Sequence, residues 1–122
     1  MTDIKHRVER QGDTLRLFLE GEIDMYVAPG LRDVLHQLIA EKPKIIIVDL
    51  KGVPFIDSSG VATLVEAVRR LKGTNSTLRV ENPSQPVRYT FEITQLAKIF
   101  GLDAEMPDKP DKPDKKVGEA TK

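Results

Sequence analysis

A short polar segment, Asp57-Ser58-Ser59-Gly60, is the part of the chain whose residue types could do chemistry. A serine hydroxyl can accept a phosphoryl group, and the phosphate adds about −1.5 to −2 charges and three acceptor oxygens. The same residues also suit the start of a helix, because an aspartate or serine oxygen there accepts hydrogen bonds from free backbone N–H groups. The segment therefore predicts a phosphorylation switch or a structural helix cap, with Asp57 or Ser58 at the capping position.

The residues on either side of this segment predict a strand before it and a helix after it. Residues 44–50 are a nearly continuous apolar, β-branched run of strand length, which is typical of a central strand buried on both faces of a sheet. After the serines, apolar residues recur at helical spacing and form one stripe: Val61, Leu64, Val65, Val68 and Leu71. The serines are thus predicted to lie where a buried strand passes into an amphipathic helix.

The N-terminal part of the chain predicts a hairpin followed by a helix. Residues 4–10 and 14–20 are two short strand-like segments, and Gln11-Gly12-Asp13 between them is a turn-forming cluster. After Gly21-Glu22-Ile23-Asp24 a helix is predicted, with Pro29 in its first turn. Its apolar face consists of Val27, Leu31, Val34, Leu35, Leu38 and Ile39.

The C-terminal part predicts one more strand and one more helix. Residues 77–80 form the strand, and Ser84-Gln85-Pro86 has a capping residue with a proline just inside the helix. The apolar members of this helix, interrupted near Thr94, are predicted to be Val87, Phe91, Leu96, Ile99 and Phe100. The element order requires at least two crossovers between parallel strands. We therefore predict an α/β fold with a small mixed, mostly parallel sheet of four to five strands and helices packed on it.

Three polar loops are expected to meet at one edge of this sheet. The carboxyl ends of parallel strands lie at the same edge, and the loops that follow them gather there. Residues 21–24, 56–59 and 82–84 occupy these positions in the predicted order. The sequence therefore predicts a single surface that collects the polar loop residues.

Composition narrows the class of protein. A chain of 122 residues, 39% hydrophobic and 31% charged, fits one domain with an ordinary core. Lys plus Arg and Asp plus Glu number 19 each, so no net charge favours direct binding to nucleic acid. There is no cysteine, no signal-peptide pattern at the start, and no apolar run long enough to span a bilayer. We expect a cytoplasmic protein without membrane insertion.

The last residues differ in character from the rest. From about Met106 a Pro-Asp-Lys unit repeats without apolar residues, so this part cannot bury enough surface to become ordered. We predict a domain over residues 1–105 and a disordered Pro/Asp/Lys-rich tail over residues 106–122 that acts as a spacer.

Several of these motifs together resemble the STAS domains, and within them the small stand-alone bacterial anti-sigma factor antagonists. The resemblance covers nearly all of residues 4–105 and rests on Gly21-Glu22-Ile23-Asp24, the strand 45–50 followed by the segment 55–60, and Pro86-Val87. It implies a partner that is both a serine protein kinase and an anti-sigma factor. The unmodified antagonist would bind this partner and free the sigma factor, and a separate serine phosphatase would reset the switch.

The resemblance also implies roles for individual residues. It assigns the phosphorylation to Ser58, whereas helical periodicity alone does not choose between Ser58 and Ser59. Partner contacts are expected at Asp24, Asp57, Ser59 and Gly60, and the missing side chain of Gly60 would let a partner approach closely. For Asp24, a role as the cap of the first helix is predicted with equal weight to the partner contact.

Other functions are less well supported by the residues. A serine nucleophile would need a base, and the histidines, His6 and His36, are predicted on the first strand and inside the first helix. No metal-ligand motif and no Walker-type nucleotide loop is present, so neither an enzyme nor a cofactor is expected. The main alternative is another use of the same domain, as an accessory subunit of a lipid or anion transporter or a scaffold component of a sensory complex.

Overall fold

The structure is a computed structural model that describes residues 4–94 and residue 100. Its elements follow the predicted order of two strands, then helix, strand, helix, strand and helix. They are β1 (Lys5–Gln11), β2 (Thr14–Glu20), α1 (Ala28–Ala40), β3 (Ile45–Gly52), α2 (Ser58–Arg70), β4 (Thr77–Glu81) and α3 (Gln85–Ile93). Within this described part, the four strands form one sheet in the order β1-β2-β3-β4, which confirms the predicted fold class.

The first two strands form the predicted hairpin. They pair antiparallel with Gln11 opposite Thr14, so Gly12 and Asp13 make the turn. Gly12 has a φ of +60°, the left-handed region that glycine adopts without a steric penalty. A positive φ at only the first central position is the pattern of a type II′ turn, which suits the twist of a hairpin.

Two crossover connections build the rest of the sheet. β2 pairs parallel with β3, and β3 pairs parallel with β4. The connecting helices α1 and α2 pack against each other. Right-handed crossovers that advance in the same direction across the sheet place both helices on the same face.

The hydrophobic core lies between the three helices and this face of the sheet. Every second residue of the strands points into it: Leu15, Leu17, Leu19, Ile46, Val48, Leu50, Leu78 and Val80. The apolar stripes of the helices meet these residues, and Leu31, Leu35 and Leu64 are at most 1% exposed. The predicted stripes of α1 and α2 are therefore confirmed, as is the central position of β3.

The third helix is confirmed in part. Val87 and Phe91 are buried as predicted, and α3 ends at Ile93, one residue before the predicted interruption. Phe100 is also buried, and its ring centroid lies 5.1 Å from that of Phe91. Leu96, Ile99 and the predicted tail lie outside the described residues.

The face of β3 that points away from the helices is also buried. The strand is buried on both faces as predicted, but all three helices contribute to a core on one face. On the opposite face, Ile47 and Asp49 are 8% and 4% exposed, and neither belongs to that core. A carboxylate in this position needs compensation because an unpaired buried charge is costly.

A network of polar side chains supplies that compensation. Asp49 Oδ2 accepts hydrogen bonds of 3.0 Å from Arg16 Nη1 and from Asn82 Nδ2. Asp49 Oδ1 accepts a third, also 3.0 Å, from the backbone N–H of Lys51. Arg16 Nη2 in turn lies 2.9 Å from Glu81 Oε1 and forms an ion pair with it. The network thus connects β2, β3 and β4, and the Asp49 carboxylate holds the loop after β4, where Asn82 has a φ of +57°.

Among the described helices, none is long and apolar enough to cross a membrane.

Replacing Asp49 with alanine should test this network. The Arg16 guanidinium and the Asn82 amide would lose their acceptor, so we expect the free energy of unfolding to fall by about 2–4 kcal/mol, measured by urea denaturation. Glu20→Ala is the control, because it removes a carboxylate from an ion pair whose side chains are 83% and 61% exposed. The control should change stability by less than about 0.5 kcal/mol. Equal losses in the two variants would contradict the account.

Candidate functional site

Two loops are joined at the carboxyl edge of the sheet by a short parallel bridge between Ile23 and Ile56. The Ile23 N–H donates to the Phe55 carbonyl at 2.9 Å, and the Asp57 N–H donates to the Ile23 carbonyl at 3.0 Å. The third loop is tied to the same edge, because the Ser84 hydroxyl donates to the Val53 carbonyl at 3.0 Å. The predicted gathering of the three polar loops is therefore confirmed.

Asp57 is the capping residue of α2. Its backbone is extended, and its Oδ1 accepts hydrogen bonds from the N–H groups of Ser59 at 2.8 Å and Gly60 at 3.2 Å. Its carbonyl accepts the first helical bond, from the Val61 N–H at 3.1 Å. Of the two predicted capping residues the structure thus selects Asp57, which places Ser58 at the first helical position.

Asp24 holds the turn that leads into α1. Its Oδ1 accepts hydrogen bonds from the N–H groups of Tyr26 at 2.9 Å and Val27 at 3.2 Å. Its carbonyl accepts from the N–H of Ala28, the first residue of α1, at 2.9 Å. The N-cap of α1 is Val27, without a side-chain hydrogen bond, so the predicted role of Asp24 as the cap is wrong, and its carboxylate stabilises the turn before the helix instead. Its predicted contact with a partner stays a prediction.

The two serines differ in exposure and face different grooves. Ser58 is exposed, and its hydroxyl makes no hydrogen bond within the described part of the chain. It lines a groove of about 390 Å³ between α2 and the end of α3, together with Val61, Val65 and Thr94. Ser59 is half-buried and lines a groove of about 460 Å³ between α1 and α2. Of the two serines, Ser58 is therefore the more accessible acceptor for a phosphoryl group.

Gly60 has a different role from the predicted one. It is buried, and a Cβ at this position would lie 2.6 Å from Ile56 Cγ1 and 2.7 Å from Ile23 Cγ2. The space left by the missing side chain is filled by this chain's own bridge residues, so it does not admit a partner. Glycine is needed because the first turn of α2 packs directly on the bridge between the loops.

Three large apolar side chains are exposed on the loops before α1 and α2, and the sequence reasoning missed them. Met25, Tyr26 and Phe55 are 64%, 70% and 45% exposed, and we call them the apolar patch. Met25 lines the same groove as Ser59, and Phe55 lies on the bridge, two residues before Asp57. A signal was available in the sequence, because these large residues belong to no predicted strand and to no helical stripe.

The histidines do not support a hydrolase. His6 lies on β1, where its Nδ1 is 2.8 Å from the Ile4 carbonyl oxygen, and His36 lies within α1. Neither residue lines the groove of Ser58 or that of Ser59. Within residues 4–94 and 100, no three acidic or histidine side chains are grouped so that they could hold a metal ion.

Comparison with known proteins shows which family the sequence matches. The family model of the STAS domain matches residues 5–111. The chain is 33% identical over 98 residues to an anti-sigma-B factor antagonist of Bacillus subtilis, which covers 80% of this chain and 89% of that protein.

Solved structures show the same fold. The anti-sigma factor antagonist SpoIIAA in its unphosphorylated form is 26% identical with a TM-score of 0.68, covering 77% of this chain and 84% of that chain. The Bacillus cell fate determinant SpoIIAA in its phosphorylated form is 25% identical with a TM-score of 0.62, covering 77% and 86%. Mglu is 33% identical with a TM-score of 0.57 over 65% of this chain, which is 20% of the Mglu chain.

Replacing Gly60 with alanine should test how the first turn of α2 is seated. Alanine favours a helix over glycine by about 1 kcal/mol, so helix propensity alone predicts a gain in stability. The contacts with Ile23 and Ile56 predict a net loss of roughly 1–3 kcal/mol in the free energy of unfolding, measured by urea denaturation. Ser59→Ala, in the same turn, is the control and should be nearly neutral. A Gly60→Ala protein more stable than the parent would contradict the packing argument.

Proposed function

The chain belongs to the STAS domain family, and we propose that it is an anti-sigma factor antagonist whose partner binding is switched off by phosphorylation of Ser58. In the proposed cycle the unmodified protein binds a partner that is both an anti-sigma factor and a serine protein kinase. This binding frees the sigma factor for transcription. Phosphorylation releases the antagonist, and a serine phosphatase restores it. We assign this activity to residues 1–105.

The observation that carries the proposal is the position of the Ser58 hydroxyl. The residue is exposed and its hydroxyl makes no hydrogen bond among the described residues, so a kinase could reach it without breaking an internal hydrogen bond. Its backbone is held in place all the same, because Asp57 caps the helix that begins at Ser58. A hydroxyl that is fixed in position and free of partners suits a phosphoryl acceptor.

The proposed transfer takes its reactants from the kinase and this chain. The Ser58 Oγ attacks the γ-phosphorus of ATP bound to the kinase, and an O–P bond forms. The bond from the γ-phosphorus to the bridging oxygen breaks, and ADP leaves with its electron pair. The hydroxyl proton passes to a base of the kinase. In this scheme the chain is a substrate and has no catalytic residue of its own.

Loss of binding follows from the charge that the phosphate adds. A partner surface that fits a neutral hydroxyl at Ser58 would meet a dianion in a contact from which water is excluded. Like charges in such a contact cost several kcal/mol, and each ~1.4 kcal/mol lowers the affinity tenfold. A change of fold is unnecessary, since the modified residue lies at the surface.

The apolar patch would supply much of the affinity for the partner. Three large apolar side chains stand exposed at one edge of a small domain, and aromatic residues are enriched among those that dominate binding energy. Met25 lines the groove of Ser59, and Phe55 lies three residues before Ser58, so a partner that covers the patch would also be close to Ser58. Affinity and regulation then belong to neighbouring parts of one surface.

Two substitutions at Ser58 should separate charge from contact. We expect Ser58→Asp to keep the fold and to lose at least about 100-fold in affinity for the cognate kinase, measured by isothermal titration calorimetry. Ser58→Ala should fold and remain bound with nearly unchanged affinity. Ser59→Asp is the control for added charge in the same turn and should have the smaller effect. Equal affinity of the Ser58→Asp and Ser58→Ala proteins would exclude the charge mechanism and favour a constitutive transporter or scaffold subunit.

The apolar patch is tested by Tyr26→Ala. Removal of this 70% exposed ring should lower the affinity for the same kinase at least about tenfold and leave the free energy of unfolding nearly unchanged. Tyr89→Ala is the matched control, because that ring is 62% exposed on α3 and does not belong to the patch. If the two variants bind equally well, the patch does not contribute to the interface.

A further inference from the structure

The outer edge of β1 has no part in the proposed function. In the strand order β1-β2-β3-β4, β1 pairs with β2 on one side, and no described strand pairs with its other side. Such an edge carries a row of backbone N–H and C=O groups that can pair with a further strand. We propose that this edge is a homodimer interface, at which β1 of a second copy of the chain pairs antiparallel with β1 and joins the two sheets into one. The dimer goes beyond the proposed function and does not depend on it.

The hairpin determines which backbone groups point to the outer edge. Its two-residue loop lies between Gln11 and Thr14, and the residues beside such a loop exchange both backbone hydrogen bonds. Because hydrogen-bonded pairs alternate along an antiparallel ladder, the odd-numbered residues of β1 bond to β2. His6, Val8 and Arg10 therefore direct their N–H and C=O groups to the outer edge, where they can bond to a second copy.

Two-fold symmetry and charge select one register for this pairing. The symmetry axis of two equivalent antiparallel strands is perpendicular to the sheet, so one residue of β1 lies opposite its own copy. With Arg7 or Glu9 at this centre, like charges would lie directly opposite each other, which is unfavourable. With Val8 at the centre, an apolar residue faces its copy and all seven residues of the strand are paired. Val8 is therefore the favoured centre.

Charge complementarity supports the same register. Arg7 of one copy then lies opposite Glu9 of the other, and the symmetry repeats this contact on the other side of the axis. Both residues alternate with Val8, so they lie on the face of the sheet away from the core. Their side chains are 61% and 58% exposed and are 2.5 Å apart within one copy. Opposite charges at directly opposed positions stabilise a pair of strands.

Val8 indicates that the core is open at this edge. Its side chain packs against the hydrophobic core but is only half-buried, whereas the core residues of β2 are at most 3% exposed. In the proposed register the Val8 side chains of the two copies face each other across the axis, on the helix side of the sheets. Dimerisation would therefore extend the core across the edge and bury more of this side chain.

The other edge strand, β4, is less suited to self-pairing. Full overlap of its five residues would place Arg79 opposite its own copy. A centre at Val80 would pair Arg79 with Glu81, but the overlap would be short. Beyond Glu81, Asn82 has a φ of +57° and Pro83 has no N–H to donate.

The C-terminal repeat is an unsuitable occupant of the β1 edge. Residues 107–115 have a proline at every third position, and proline has no N–H for a strand ladder. A second copy of β1 offers a donor at each position that faces the edge, so it fits the edge better than this repeat does.

The proposed dimer would keep the candidate sites of the two copies apart. Antiparallel pairing reverses the direction of the second sheet, so its carboxyl edge points the opposite way. Ser58 lies at the carboxyl edge of each sheet, at the start of α2. One dimer would therefore present two Ser58 surfaces at opposite ends.

Sedimentation equilibrium of the full chain tests the proposal. We expect a monomer–dimer equilibrium with a Kd on the order of 100 µM, because one strand pair buries less area than a standard interface. Arg7→Glu and Glu9→Arg each turn both Arg–Glu contacts into like-charge contacts, so each should weaken self-association about tenfold. Lys72→Glu is the control for a reversed charge, because Lys72 is exposed after the end of α2, and it should leave the equilibrium unchanged. A parent protein that stays monomeric at concentrations on the order of 1 mM would overturn the proposal.

Mixing the two charge variants tests the register. In a heterodimer of the Arg7→Glu and Glu9→Arg proteins, each contact again joins a carboxylate to a guanidinium. We expect the equimolar mixture to associate about as tightly as the parent, although each variant alone associates weakly, and urea denaturation should show that both are folded. A mixture that associates no better than the separate variants would overturn the proposal. Variants that each dimerise as tightly as the parent would also overturn it, because the interface would then lie elsewhere.

Discussion

The site depends on the close packing of the first turn of α2 against the bridge between Ile23 and Ile56. Two backbone hydrogen bonds join these loops, one of them from the Asp57 N–H, so the capping residue is part of the bridge. Gly60 sits on the other side of the same contact, where no Cβ would fit. The helix can approach the loops only because this residue has no side chain. The position of Ser58 at the start of α2 follows from that approach.

Structural and regulatory roles coexist in the same few residues. Asp57 caps the helix with one carboxylate oxygen and directly precedes Ser58. The segment is therefore a helix cap and, in our proposal, a switch at the same time. In that proposal the cap keeps the fold unchanged, and the added charge acts on the partner and not on the core.

Local sequence patterns were sufficient for most of the fold. Strand length and β-branching identified β3, and helical spacing identified the buried faces of α1 and α2, because these signals arise from the residues of a single element. The buried Asp49 was hidden inside an apolar run, since its compensation comes from Arg16 on β2 and Asn82 after β4. Such a contact depends on the register between strands, which a local pattern does not contain.

At the candidate site, too, local sequence patterns predicted some features and missed those that depend on tertiary packing. The polar loops and a cap at residue 57 or 58 follow from turn chemistry and strand order. The role of Gly60 required knowledge of what lies beneath it, and the assignment of the two serines to different grooves required the rotation of α2 on the sheet. Met25 and Tyr26 become visible as a surface only when the loop before α1 is placed beside α2.

The central claim is that Ser58 is a regulated phosphorylation site. The most direct test is phosphosite mapping by mass spectrometry on the protein isolated from its native cells, before and after a change of growth condition. The account predicts phosphate on Ser58, with an occupancy that changes between the two conditions. An absence of phosphate from Ser58 under every condition, with full coverage of the peptide that contains it, would contradict the account.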